Sequence, residues 1–259
     1  MIWALLGLTL TLAALVYPAW RGTRPARNSA PPQDKPVLVC LGDSLTHGRV
    51  GADWVADLRA KHPDWHIHNA GINGQVAWEL TQRVDEVLAL KPAAVVVLIG
   101  CNDVMASLSA EDGERYRRDN ELPQVPDLAW YRESLATLLG RLEGVPTAVM
   151  TLAPLGEDGV DHVAPYNEVI RDLAPRVLPL DERLAAIARP GPGHILGPKR
   201  RHVVYQALVR HYLLLRSWDQ VAEDRGAWLL VDGIHFADRA AAVVAQLVED
   251  FFAEVLRSS

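Results

Sequence analysis

The sequence has only two cysteines, Cys40 and Cys101, and they do not form a CxxC pair. A disulfide scaffold is thereby excluded. HExxH is missing and the acidic residues show no ligand spacing, so no metal site is implied. GxSxG is absent, which argues against the serine-esterase fold built around that turn. The only Gly-Pro-Lys stretch, Gly197-Pro198-Lys199, lacks the phosphate-cradling pattern of nucleotide hydrolases. No internal repeat is visible. Basic charge is also short. With Arg21, Arg24, Arg27, Lys35 and the single acid Asp34 set aside, 22 basic and 31 acidic residues remain, a charge of −9 over residues 37–259. An acidic body repels phosphate backbones, which argues against nucleic acid as a partner.

Residues 1–20 (MIWALLGLTLTLAALVYPAW) carry no charged side chain. As a helix rising 1.5 Å per residue, this run is long enough to cross a bilayer core of about 30 Å. It is read as an N-terminal membrane helix, retained as a single-pass anchor, with a cleaved signal and export as the alternative. No Lys or Arg precedes the run, and Tyr17-Pro18-Ala19 is a poor cleavage site. Residues 21–36 follow as a basic, Pro-rich linker. Its three arginines would hold the body on the cytoplasmic side, whereas a signal would export it, so the side of the membrane stays open.

What remains, within a chain of 259 residues that is 49% hydrophobic and 22% charged, suits one folded domain over residues 37–259. Short β-branched runs alternate with helical patterns, as in a parallel sheet covered on both faces. Strands are expected at Val37–Leu41, His66–Asn69, Ala93–Ile99, Thr147–Leu152 and near Val177–Leu180. Helices are expected at Asp53–Lys61, Val76–Leu90, Leu128–Leu142, Pro165–Leu173 and Ala237–Leu256, within one doubly wound domain.

In such a sheet the reactive groups collect in loops beyond the carboxyl ends of the strands. The first loop, Gly42-Asp43-Ser44-Leu45-Thr46, brings a serine directly after an apolar strand. A nucleophile and a helix N-cap stand there as equal readings. The second, Asn69-Ala70-Gly71-Ile72-Asn73-Gly74, offers glycines that admit close approach to a ligand, or ordinary turn chemistry. The third, Gly100-Cys101-Asn102-Asp103, could aim an amide into the same cleft or cap a helix. In the fourth, Asp232-Gly233-Ile234-His235, a three-residue spacing lets a carboxylate orient an imidazole, as a general base for a serine requires. His235 is the one histidine of nine so paired. The others are assigned no role, although His47 lies close to Ser44.

Together and in this order the four loops resemble the SGNH hydrolase superfamily, the GDSL esterases and lipases, over most of residues 37–259. The resemblance implies Ser44 as nucleophile, His235 as general base and acid, and Asp232 as the residue orienting His235. It implies an oxyanion hole of the Ser44 amide, the Gly74 amide and the Asn102 side chain, with no metal or cofactor. Gly74 rather than Gly71 follows from aligning Asn69-x-Gly-x-x-Gly with the family pattern. The fold implied is a flavodoxin-like three-layer α/β/α sandwich with a five-stranded parallel sheet. Two departures are visible: Phe236 stands where many members have proline, and Cys101 replaces the Gly or Thr common before the asparagine. Cys101 is read as a buried thiol.

Two segments bear on the substrate. Residues 104–127 form a charged connection without clear periodicity, read as a rim of the cleft. Residues 189–224 form an extra helical insertion that opens with Pro190-Gly191-Pro192-Gly193 and continues as a helix over Arg201–Asp224, with Val204, Leu208, Tyr212, Leu215, Trp218 and Ala222 as its apolar stripe. This insertion is either a packing helix or a lid facing the membrane. The expected function is a serine ester hydrolase acting through an acyl-enzyme on lipid or lysophospholipid esters. An O-deacetylase or acetyltransferase on cell-envelope carbohydrate is one alternative, and a catalytically silent binding module is another.

Overall fold

The computed structural model describes residues 16–156, 160–189 and 200–258. Five parallel strands, β1 (Val37–Gly42), β2 (His66–Gly71), β3 (Ala94–Leu98), β4 (Thr147–Met150) and β5 (Val177–Leu178), form one sheet in the order β2-β1-β3-β4-β5. The two central strands explain themselves. VLVCLG and AVVVL are buried at every position, as strands covered on both faces must be. Register runs Leu38 to Ala94 through Gly42 to Leu98 on one side of β1, and Val37 to His66 through Gly42 to Gly71 on the other. The ends of β1, β2 and β3 therefore lie side by side, at the point where the strand order reverses.

The helices, in chain order, are α1 (residues 16–23), α2 (Ser44–His47), α3 (Trp54–Lys61), α4 (Ala77–Gln82), α5 (Val84–Ala89), α6 (Cys101–Ser107), α7 (Ala110–Asp119), α8 (Leu128–Arg141), α9 (Ala164–Leu173), α10 (Leu180–Ala185), α11 (Arg200–Tyr212), α12 (Trp218–Glu223) and α13 (Asp238–Ser258). The expected helix over Val76–Leu90 is divided at Arg83, whose guanidinium leaves the helix surface to donate to the carbonyls of Gly42 and Ala70. The connection 104–127 is not irregular: α6 continues into it and α7 fills its centre. The helix expected over Arg201–Asp224 is two helices. α11 unwinds through Leu214 N–H to Val209 C=O and Arg216 N–H to Arg210 C=O, with Leu215 at φ 53°. That left-handed position is one that glycine usually fills. The Ala227–Val231 run joins no sheet. It makes a single antiparallel bridge, Leu230 to Phe236, that closes the Asp232 loop.

No helix among the described residues is long and apolar enough to cross a membrane. Residues 1–15 of the apolar N-terminal run lie outside the described residues, as do Pro190 to Lys199. The visible end of the run, α1, packs on the domain through Gly22, where a β-carbon would come within 3.0 Å of Leu208. The segment after it is tied down by Asn28, which donates to the Asn69 carbonyl and accepts from the Asn69 amide.

Gly71 is where sheet and site meet. A β-carbon there would lie 2.2 Å from the His47 backbone nitrogen, so β2 and α2 can touch only through glycine. Gly71→Ala is expected to destabilise the fold by at least about 3 kcal/mol, the upper range of core overpacking, read as a lowered urea midpoint.

Candidate active site

Ser44 begins α2 directly after β1. Asp43 precedes it and its carboxylate caps the helix, accepting from the Leu45 amide at 2.9 Å. The Ser44 amide lies in the first turn, where no intrahelical acceptor is available. The Asp232 loop reaches across 191 residues of chain: the Ser44 hydroxyl donates to His235 Nε2 at 3.0 Å. His235 Nδ1 donates in turn to Asp232 Oδ2 at 2.7 Å. The other carboxylate oxygen, Oδ1, accepts from the backbone amides of Ile234 and His235 at 3.0 and 2.9 Å. Gly233 allows so tight a loop by adopting φ 88°.

Electrostatics follow from this geometry. Burial opposes charge on Asp232, but His235 and the two amides outweigh it and hold the carboxyl below the usual carboxylate range. An ionised Asp232 fixes the proton on Nδ1, leaving Nε2 as the acceptor facing serine.

Asn102 opens α6 beyond β3. Its side-chain amide donates to the Gln75 carbonyl at 2.9 Å and to Asp43 Oδ2 at 3.2 Å, and its oxygen accepts from Tyr116 Oη at 2.9 Å. Gly74 sits at φ 81° with open space where a β-carbon would be, in contrast to Gly71. Asn120 donates to the Gly74 carbonyl at 2.8 Å. Tyr116 and Asn120 are four residues apart and so share one face of α7 and its cap. That single face holds both the Asn102 amide and the Gly74 peptide from behind.

Ser44, Gly74, Asn102 and His235 line one cavity of about 550 Å³, walled by Ala19, Gly22 and Thr23 of α1 and by Val204, Tyr205 and Leu208 of α11. A larger cavity of about 700 Å³ lies at the opposite end of the sheet, against Thr147 at the start of β4. No reactive pair like Ser44 and His235 faces it. Among the described residues no group of three or more His, Cys, Asp or Glu could hold a metal ion.

The structure thus brings Ser44, Gly74, Asn102, Asp232 and His235 together. His47 is buried beside them, and burial lowers its pKa. Cys40 and Cys101 are buried thiols outside any disulfide. Tyr116 and Asn120 carry no signal in the sequence, and Asp43 shows only part of its role there. Asp43 read as a cap and no more. Tyr116 and Asn120 lie in a charged stretch whose pattern (AEDGERYRRD) marks no inward face.

Two buried acids beneath the site make stability depend on pH. Burial raises Asp43 to about 7 and Asp103, which accepts from the Ala77 amide, to about 8. Unfolded, both titrate near 3.9. The folded state then keeps protons that the unfolded chain releases, and stability falls as pH rises toward 8. Below pH 6.5 the depressed His47 and His68 act in the opposite sense. Between pH 6.5 and 8.5 the two acids set the direction. Thermal unfolding is expected at lower temperature at pH 8.5 than at 6.5, with a smaller drop in Asp103→Asn.

A family model described as the GDSL-like lipase/acylhydrolase family matches residues 40–243, well over half of the chain. Among solved structures, a lipase/acylhydrolase from Enterococcus faecalis is 18% identical, with TM-score 0.56 and coverage of 86% of this chain and 96% of that one. An alpha/beta hydrolase enzyme from the metagenome of Lake Arreo, Spain, is 20% identical, with TM-score 0.52 and coverage of 83% and 94%. A catalytic mutant of an acetylxylan esterase from Geobacillus stearothermophilus is 18% identical, with TM-score 0.52 and coverage of 83% and 93%. At these identities the likeness is one of fold. No curated protein matches the chain.

Proposed function

Because the chain belongs to the GDSL-like lipase/acylhydrolase family and is a carboxylic ester hydrolase, we propose that Ser44, His235 and Asp232 are its catalytic triad and that its substrates are lipid esters. The observation that carries the triad is the unbroken hydrogen-bond chain from Ser44 Oγ through His235 to Asp232, with steps of 3.0 and 2.7 Å. His235 Nε2 takes the serine proton as Oγ attacks the ester carbonyl, and returns it to the departing alkoxide. Water activated by the same nitrogen then releases the acyl group from Ser44. The imidazolium that forms in each half lies against the Asp232 carboxylate, where it costs least.

The developing oxyanion meets the amides of Ser44 and Gly74 and the side chain of Asn102. Both Asn102 hydrogens already have acceptors, Gln75 and Asp43, so the oxyanion must draw one away. The bond to Asp43, at 3.2 Å, is the longer. Tyr116 acts through Asn102 as a positioning residue: its hydroxyl fixes which end of the amide faces the pocket.

An apolar wall from α1 and α11 favours an acyl chain over a sugar. Arg115, Asp119 and Asn120 on the opposite wall are the one feature that suits a polar alcohol, and with it a second reading as an O-deacetylase of carbohydrate. Anchoring through residues 1–20 belongs to the lipid reading, since it would hold the pocket near its substrate.

A fluorophosphonate probe is expected to label the wild-type protein at Ser44 and to leave Ser44→Ala unlabelled. Labelling retained in folded Ser44→Ala would overturn the triad. Asn102→Ala is expected to lower kcat by about 10²- to 10³-fold with KM little changed. Across esters of increasing acyl length, kcat/KM should rise beyond acetyl. A maximum at acetyl together with turnover of acetylated sugars would favour the second reading. Tyr116→Phe, which keeps the ring and removes the hydroxyl, is expected to lower kcat about tenfold, one hydrogen bond's worth, at unchanged KM. A purely structural tyrosine would instead lower Tm and leave kcat alone.

A further inference from the structure

α1 and α11 run in opposite directions along the mouth of the Ser44 pocket. Gly22 packs on Leu208, and the Arg21 guanidinium lies 4.8 Å from the Tyr212 ring centre and 5.9 Å from that of Tyr17. The pairing therefore puts the start of α1 beside the bend that follows Tyr212. The exposed apolar side chains belong largely to these two segments. Val16, Tyr17 and Trp20 of α1 and Leu213, Leu214 and Leu215 of the bend are six of the eleven large hydrophobic side chains exposed among the described residues, so their grouping is not scatter. Leu214 and Leu215 are 64% and 86% exposed. Leu215 is held out to solvent in the left-handed backbone region, at φ 53°, where a β-carbon is disfavoured. Arg24 stacks on Trp20 with its guanidinium 4.5 Å from the ring, next to Arg21 on the tyrosines. Leucines flanked by amphipathic aromatics and arginines are the side chains that settle at the boundary between acyl chains and headgroups.

We propose that this face seats on a phospholipid bilayer, and that an acyl chain passes from the bilayer to Ser44 along the wall that α1 and α11 form together. The occupant is identified by continuity. Residues 1–15, which precede Val16 in the sequence, have no charged side chain, and the same two helices supply the apolar wall of the pocket. The inference rests on the ester-hydrolase reading of that pocket.

The test uses the full chain with vesicles of phosphatidylcholine and phosphatidylglycerol carrying an ester lipid, beside soluble p-nitrophenyl acetate. Leu214→Glu combined with Leu215→Glu is expected to lower hydrolysis in vesicles at least tenfold and leave the soluble ester unaffected. Equal rates on vesicles in wild type and variant would overturn the proposal, whatever residues 1–15 do to binding. Should the double variant lose soluble activity too, Leu215→Gly carries the test: it removes the side chain and relieves the backbone, and a vesicle rate equal to wild type again overturns the proposal. Failure of the site reading is separate: wild type would then be inactive on the soluble ester, and flotation of the Leu214 and Leu215 variants with substrate-free vesicles would decide the face alone.

Discussion

The Asp43 carboxyl group, with no exposed surface, joins the two loops on which the site is built. One oxygen caps α2 through Leu45 and so aims Ser44; the other receives the Asn102 amide from the neighbouring strand's loop. Burial disfavours its charge, and these donors, its own backbone amide and His235 offset only part of that cost. The glycines at the strand ends follow from the same crowding. Gly42 has the Leu98 carbonyl within 2.3 Å of where a β-carbon would be, and Gly71 has the His47 backbone as near. Ser44 and Asn102 converge because β1 and β3 are neighbours in register, and nothing bulkier than glycine stands between their ends.

A second layer of control comes from α7. One face of this helix, through Tyr116 and Asn120, holds two of the three proposed oxyanion donors in place without touching the serine. The rest of the helix is charged and solvated, with i,i+3 pairs such as Arg115 to Asp112 that contribute little to stability. A helix that is polar nearly all round thus reaches the site through Tyr116 and its capping Asn120.

That composition explains which parts could be read from sequence. The β1 and β3 runs are apolar throughout, so their strands and the loops after them were legible. Ser44, Asn102, Asp232 and His235 stood out through the four loops taken together, since singly Ser44 and Asn102 read equally well as helix caps. Tyr116 and Asn120 did not stand out, because a contact across 14 or 46 residues leaves no local pattern. The bend after Tyr212 was hidden for another reason. Leu213, Leu214 and Leu215 continue the apolar stripe through the break, and no glycine or proline marks it. Arg83 divides α4 from α5 just as silently, because its partners are carbonyls of the sheet. The short α10 fell below the length at which periodicity can be counted.

Ala19, Gly22 and Thr23 are wall residues of the reaction cavity. The end of the N-terminal apolar run thus forms part of that wall, with Gly22 buried against Leu208. A chain trimmed to begin at Pro36, the natural boundary for anyone removing an apolar leader, would lose one side of that cavity and uncover Leu208. Its acyl-length profile would describe a wider, water-filled cleft.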